Sequence, residues 1–155
     1  MRILALEDSE LKWKRIEAVV RDTLGQNVEI TLARDLYEGE PLVQQTGWDL
    51  LILDISLDIR TGAGRGGRGG HDYTGGLKIA SRMFYEACEI PTVIVTGFDA
   101  FPSSASQEDS IILGLEDVDR QARAFLKEHL LGTLRIGSPD WDTELARILV
   151  QVAGG

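Results

Sequence analysis

The sequence predicts an α/β domain in which a parallel sheet is wrapped by helices. Three observations lead there. Short, unbroken apolar runs such as Ile3, Leu4, Ala5 and Leu6 suit strands buried on both faces. These runs alternate with helical patterns about five times along 155 residues, which is the rhythm of β/α units. A chain of this size with 43% hydrophobic residues can close one core without a disulfide, and its lone Cys88 could not form an internal one.

Taken in order, residues 3–6 form the first strand. Ser9 can cap the helix that follows, with Leu11, Ile16, Val19, Val20 and Leu24 at helical spacing and Gly25 as its stop. Residues 28–32 alternate and are β-branched, as in a strand nearer a sheet edge. A helix over 35–45 contains Gly39 and Pro41, both unfavourable inside one. Residues 49–54 are the clearest strand, an apolar core ending in Asp54. A helix over 75–87 turns Leu77, Ile79, Ala80, Met83 and Phe84 inward, and residues 91–96 make a fourth strand. Residues 107–130 support one long or broken helix, 133–136 a fifth strand, and 141–152 an amphipathic helix capped by Asp140 or Ser138. Two stretches break the rhythm: the Gly/Arg-rich loop at 58–74, where ordering so many glycines is entropically costly, and the irregular segment 98–107.

Charge narrows the function. Lys+Arg 16 against Asp+Glu 25 gives −9, which disfavours nonspecific attraction to nucleic acid or anionic membranes. No apolar run approaches the roughly 20 residues of a membrane span, and acid at the seventh position leaves no room for a signal peptide, so the expected compartment is cytoplasmic. His71 and His129 lack ligand spacing and read as surface residues, Trp13, Trp48 and Trp141 as packing anchors. Trp13 and Trp141 could alternatively mark a partner surface.

In parallel sheets, functional groups gather where strands end. Here those ends are Glu7 and Asp8, then Asp54, then Thr96 and Gly97. Carboxylates brought together repel unless a cation sits among them, and a hard divalent ion such as Mg²⁺ suits oxygen ligands. An Asp beside such an ion can attack phosphorus to give an acyl phosphate.

The stretches Ile-Leu-Ala-Leu-Glu-Asp-Ser-Glu at 3–10, Trp-Asp-Leu-Leu-Ile-Leu-Asp at 48–54, Gly-Gly-Leu-Lys-Ile-Ala at 75–80 and Ile-Pro-Thr-Val-Ile-Val-Thr-Gly at 90–97 carry a family likeness. Together they resemble the receiver domain of bacterial two-component response regulators. The resemblance implies a doubly wound, flavodoxin-like five-stranded sheet of order 2-1-3-4-5, with residues 1–155 as one domain. It implies Asp54 as phosphoacceptor, Glu7, Asp8, Asp54 and the Ser56 backbone carbonyl as Mg²⁺ ligands, and Thr96 as the switch hydroxyl. The phosphodonor would be a sensor histidine kinase or a phosphotransfer protein, and the output a change in binding to an unidentified partner protein. Such a domain is a phosphoacceptor rather than an enzyme, with at most self-catalysed phosphotransfer and autodephosphorylation. The family's dimer contacts use the fourth and fifth units, so a homodimer stays open. These 155 residues leave no room for a DNA-binding or enzymatic effector domain, so the expectation is either a stand-alone regulator or a piece of a larger protein.

Two departures matter. The family's fifth strand ends in a lysine followed by proline; here Ser138 precedes Pro139, and no lysine lies beyond Lys127. Arg135 is the nearest cation, although a guanidinium is no direct substitute for an ammonium. The loop after Asp54 is also about a dozen residues longer than the family needs. Its Arg60, Arg65 and Arg68 either fold over the acidic site or belong to a variable surface loop, and its Gly-Arg repeats only faintly echo an RNA-binding box. These departures motivate the alternative of a pseudo-receiver, an interaction module without phosphate switching. A phosphatase-like enzyme fits less well, because the second acid it needs two residues after the nucleophile is Ser56 here.

Overall fold

A computed structural model describes residues 1–59, 70–72, 74–97, 100–102 and 112–155. Five parallel strands form the sheet: β1 (Arg2–Leu6), β2 (Glu29–Ala33), β3 (Leu50–Leu53), β4 (Thr92–Thr96) and β5 (Leu130–Arg135). Their order across it is 2-1-3-4-5, the one expected. Leu4 pairs with Thr31 on one side and Leu51 on the other, Leu53 with Ile94, and Thr96 with Arg135.

The helices are α1 (Glu10–Leu24), α2 (Leu36–Val43), α3 (Gly75–Tyr85), α4 (Leu115–Leu126) and α5 (Trp141–Gly154). Alternation along each strand feeds two cores. Leu4, Leu6, Leu51, Leu53 and Ile94 pack under α2, α3 and α4, against residues such as Leu77, Met83 and Ala122. Ile3, Ala5, Leu50, Ile52, Val93 and Val95 pack under α1 and α5, against Trp13, Ile16, Leu145 and Leu149. Burial on both faces is why the central strands read as unbroken apolar runs. The edge strand β2 is largely half-buried, in keeping with its alternating sequence.

Several expectations need adjustment. Leu11 is exposed, and Trp13 holds the inward position on α1 instead. All three tryptophans are buried, so Trp13 and Trp141 are core residues and not a partner surface. Phe84 is 44% exposed where an inward side chain was expected. Helix α2 tolerates Gly39 because of packing: a Cβ there would lie 2.5 Å from Leu6 Cδ2, so glycine lets the helix settle on the end of β1.

Of the helix expected over 107–130, residues 107–111 lie outside the described residues, and 112–114 are not helical, the helix starting at Leu115. Residues Ile112–Gly114 instead pair antiparallel with Ala100–Pro102 in a two-stranded ribbon, so part of the irregular segment is ordered. The Gly114 N–H donates to Asp117 Oδ2 at 3.1 Å, an N-terminal cap that fixes the start of α4. Strand β5 starts three residues earlier than expected, directly after a 3₁₀ turn at Lys127–His129. The expected loop at 58–74 is bounded by a second ribbon, Leu57–Ile59 against Gly70–Asp72. Its arginines Arg60, Arg65 and Arg68 lie outside the described residues. Among the described residues, no helix is long and apolar enough to cross a membrane.

Candidate functional site

The ends of β1 and β3 are held by the sheet itself. The Glu7 N–H donates to Ala33 O at 3.0 Å and the Asp54 N–H to Leu6 O at 2.9 Å, so both acids hang from ladder hydrogen bonds that continue one residue past the strands. Glu7 and Asp54 are each 1% exposed, and Asp8 is partly buried. One carboxylate oxygen from each of Glu7, Asp8 and Asp54 lies within 4.8 Å of the others. The convergence expected of the first and third strand ends is therefore present.

A residue the sequence reading overlooked completes the cluster. Lys12, in the first turn of α1, places its Nζ 2.5 Å from Asp54 Oδ2 and 2.9 Å from Glu7 Oε2. Local geometry aims it there. Ser9 caps α1 by accepting from the Lys12 N–H at 3.3 Å, and Glu7 Oε1 in turn accepts from the Ser9 N–H at 2.8 Å. Helical side chains lean toward the N-terminus, which brings a residue of the first turn back over the strand ends. A signal was available in the sequence. A cation in the first turn opposes the helix dipole and is disfavoured unless carboxylates surround it.

The second Asp54 oxygen, Oδ1, accepts from the Ile55 N–H at 2.8 Å. Glu7 Oε2 meets Lys12 as an ion pair without hydrogen-bond alignment, and among the described residues it is the buried side-chain acceptor with no hydrogen bond. Charge is correspondingly short of balance. Burial, and then the charge of Asp54, push the Glu7 carboxyl up to about 8 despite Lys12. Burial pushes Asp54 up as well, against the pull of Lys12. Burial also works against the charge on Lys12, but Asp54 and Glu7 outweigh it and hold the ammonium above its usual range. Three clustered carboxyl groups, two of them held by one ammonium and one oxygen without a hydrogen bond, form a hard-oxygen donor set that suits a divalent cation such as Mg²⁺.

Helix α3 is seated on the same spot. The Gly76 N–H donates to Ile55 O at 2.9 Å, and a Cβ on Gly76 would fall 2.2 Å from Asp54 O and 2.7 Å from Ile55 Cα. Only glycine allows the helix to press on the backbone that carries Asp54. Ser56 is buried two residues beyond Asp54. Thr96 ends β4, fully buried, and its carbonyl accepts from the Ile136 N–H at 2.8 Å. Arg135 sits opposite Thr96 in register, with its Nη1 3.8 Å from where a Cβ of Gly137 would be. Among the described residues, the cation paired with Asp54 is Lys12 of α1, reached from a different element than β5.

Compared with solved structures, the chain resembles the signal receiver domain of an HD domain-containing protein from Pseudomonas fluorescens Pf-5, with TM-score 0.60 and 16% identity over 99% of this chain and 94% of that one. A CheY-like response regulator receiver domain protein from Methanospirillum hungatei JF-1 gives 0.58 and 15% over 99% and 94%. The fold is the receiver fold. A third such structure, the receiver domain of a sensor histidine kinase from Pseudomonas aeruginosa PAO1, gives 0.54 and 19% over 99% and 98%, and holds a magnesium ion in its active site cleft. Neither a protein-family model nor a curated protein matches the sequence. Within the receiver fold, the acidic cluster lies at the carboxyl ends of the central strands, where doubly wound sheets place their ligands.

Proposed function

We propose that this chain is a phosphoryl-accepting signalling domain of a two-component system, with Asp54 as the acceptor. The observation that carries the reading is the buried Asp54 carboxylate, fixed at the end of a central strand within 4.8 Å of two further acids. One Asp54 oxygen would attack phosphorus, forming a P–O bond while the bond from phosphorus to the donor breaks. The electron pair leaves with the donor, a histidine imidazole of a kinase or phosphotransfer protein, or acetate when acetyl phosphate is used. Glu7, Asp8, Asp54 and the Ser56 carbonyl would hold Mg²⁺, which when bound offsets the negative charge shared by carboxylate and phosphoryl group. Thr96 would donate its hydroxyl to a phosphoryl oxygen, and burial of that oxygen would favour one of two states of the domain, altering partner binding. The domain is a phosphoacceptor and not an enzyme acting on separate substrates. The receiver fold and the magnesium seen in a structural neighbour support this reading.

Incubation with acetyl phosphate and Mg²⁺ followed by intact mass measurement tests it. The expected result is one added phosphoryl group, absent from Asp54→Ala. No gain, or an equal gain in the variant, overturns the proposal. The second reading, a pseudo-receiver that binds partners without phosphate, is favoured by one observation: an ammonium already occupies oxygens of Glu7 and Asp54. Mg²⁺ titration followed by tryptophan fluorescence separates the two, a silent titration favouring the pseudo-receiver.

A further inference from the structure

We propose that Lys12 is the phosphoryl-binding cation of this site, bridging Glu7 and Asp54 and transferring to a phosphoryl oxygen once Asp54 is phosphorylated. This rests on the phosphoacceptor reading above and goes beyond it by assigning the positive charge to α1.

Four observations converge. The Lys12 ammonium touches both Asp54 Oδ2 and Glu7 Oε2, so it already stands where charge on Asp54 would grow. Its side chain is only 11% exposed, which keeps the pair poorly screened. The aliphatic stem passes over Gly97, where a Cβ would meet Lys12 Cδ at 3.6 Å, so the ammonium is delivered between the ends of β3 and β4. A phosphoryl group on Asp54 with an oxygen toward Thr96 would project into that same interval. Finally, Lys12 stands in the first helical turn, where the dipole disfavours a cation, and the sheet-end carboxylates are what offset that penalty. Ammonium chemistry fits the task. It is a compact charge with three donors on a four-carbon stem, able to keep one contact while exchanging another.

The assignment has a signature of opposite signs. Lys12 now holds carboxylate oxygens that a divalent cation would take, so removing it frees them for Mg²⁺ while depriving the phosphoryl group of its partner. The test compares wild type, Lys12→Gln and Lys12→Arg in two titrations, Mg²⁺ alone and beryllofluoride in saturating Mg²⁺, followed by tryptophan fluorescence. For Lys12→Gln, Mg²⁺ is expected to bind about tenfold more tightly and beryllofluoride about tenfold more weakly, the size of one charge-assisted hydrogen bond. Lys12→Arg, which keeps the charge but not the compact donor, is expected to lie between. A merely structural lysine would move both constants in the same direction. The unaltered chain gives a second readout: the Lys12 ammonium resonance, identified by its loss in Lys12→Arg, shifts on adding beryllofluoride. Unchanged constants in Lys12→Gln, or an unmoved ammonium resonance while wild type takes beryllofluoride, overturn the role of Lys12 alone. Failure of wild type to take beryllofluoride at all overturns the phosphoacceptor reading and this proposal with it.

Discussion

Replacing Gly76 by alanine should damage the protein in a way helix propensity alone would not suggest. In an ordinary helix the exchange stabilises by about 0.5–1 kcal/mol. Here the new methyl would fall 2.2 Å from Asp54 O and 2.7 Å from Ile55 Cα, both main-chain atoms pinned by the sheet. The N-terminus of α3 must therefore withdraw, losing the Gly76 to Ile55 hydrogen bond at a cost of about 1 kcal/mol. Overpacking of this kind costs about 1–3 kcal/mol. Set against the propensity gain, the net is a destabilisation of about 1–3 kcal/mol, or a drop in Tm of roughly 2–12 °C for a domain of this size. Urea denaturation of wild type, Gly76→Ala and Gly75→Ala provides the measurement. Gly75→Ala is the milder control, since its methyl would meet Leu36 Cδ1 and Leu57 Cβ at 3.2 Å, a contact only a few tenths of an ångström too close. A Gly76→Ala protein as stable as wild type would refute the claim that α3 rests directly on the Asp54 main chain.

Two further outcomes are expected. Ser9→Ala should cost about 1 kcal/mol, because its hydroxyl caps the Lys12 N–H, and it should also loosen Mg²⁺-free Lys12 from Asp54; urea midpoints and the ammonium resonance read the two effects. The pH dependence of stability has a definite sign. With Glu7 raised from 4.5 to about 8, the folded protein holds a proton that the unfolded chain releases, so this stabilisation is complete below about 4.5 and is lost as pH rises through about 8. Asp54 is raised too and acts in the same direction. In chelator-treated protein the urea midpoint should fall between pH 5.5 and 8.5, and Glu7→Gln should flatten the fall; a midpoint that rises over that window would contradict the assignment.

The central strands were readable from sequence because burial on both faces forces unbroken apolar runs, and Asp54 stood out because such a run ends on it. Ser9 and Gly25 were readable for local reasons: a hydroxyl that caps, and a backbone φ of 84° that favours glycine. What escaped the sequence was decided by tertiary contact. Residues 112–114 lie beside a helical pattern but pair with 100–102, a partnership with no periodic trace. Gly39 argued against a helix until Leu6 was found beneath it. Lys12 was hidden for a related reason. One lysine among the polar positions of an amphipathic helix looks like solvent-facing charge; its first-turn position, against the dipole, was the one local hint, and the approach of β3 shows where it points. The family pattern also directed attention to the end of β5, whereas the ammonium paired with Asp54 among the described residues comes from α1.

Hanging Glu7 and Asp54 from ladder hydrogen bonds separates rigid parts from movable ones. The acids cannot migrate without tearing the sheet, while the lysine opposite them reaches the site on a four-carbon stem from the first turn of α1. If the proposed phosphoryl adduct forms, its lifetime and affinity can thus be adjusted by exchanging one residue of α1, leaving Asp54 and its neighbouring strands untouched.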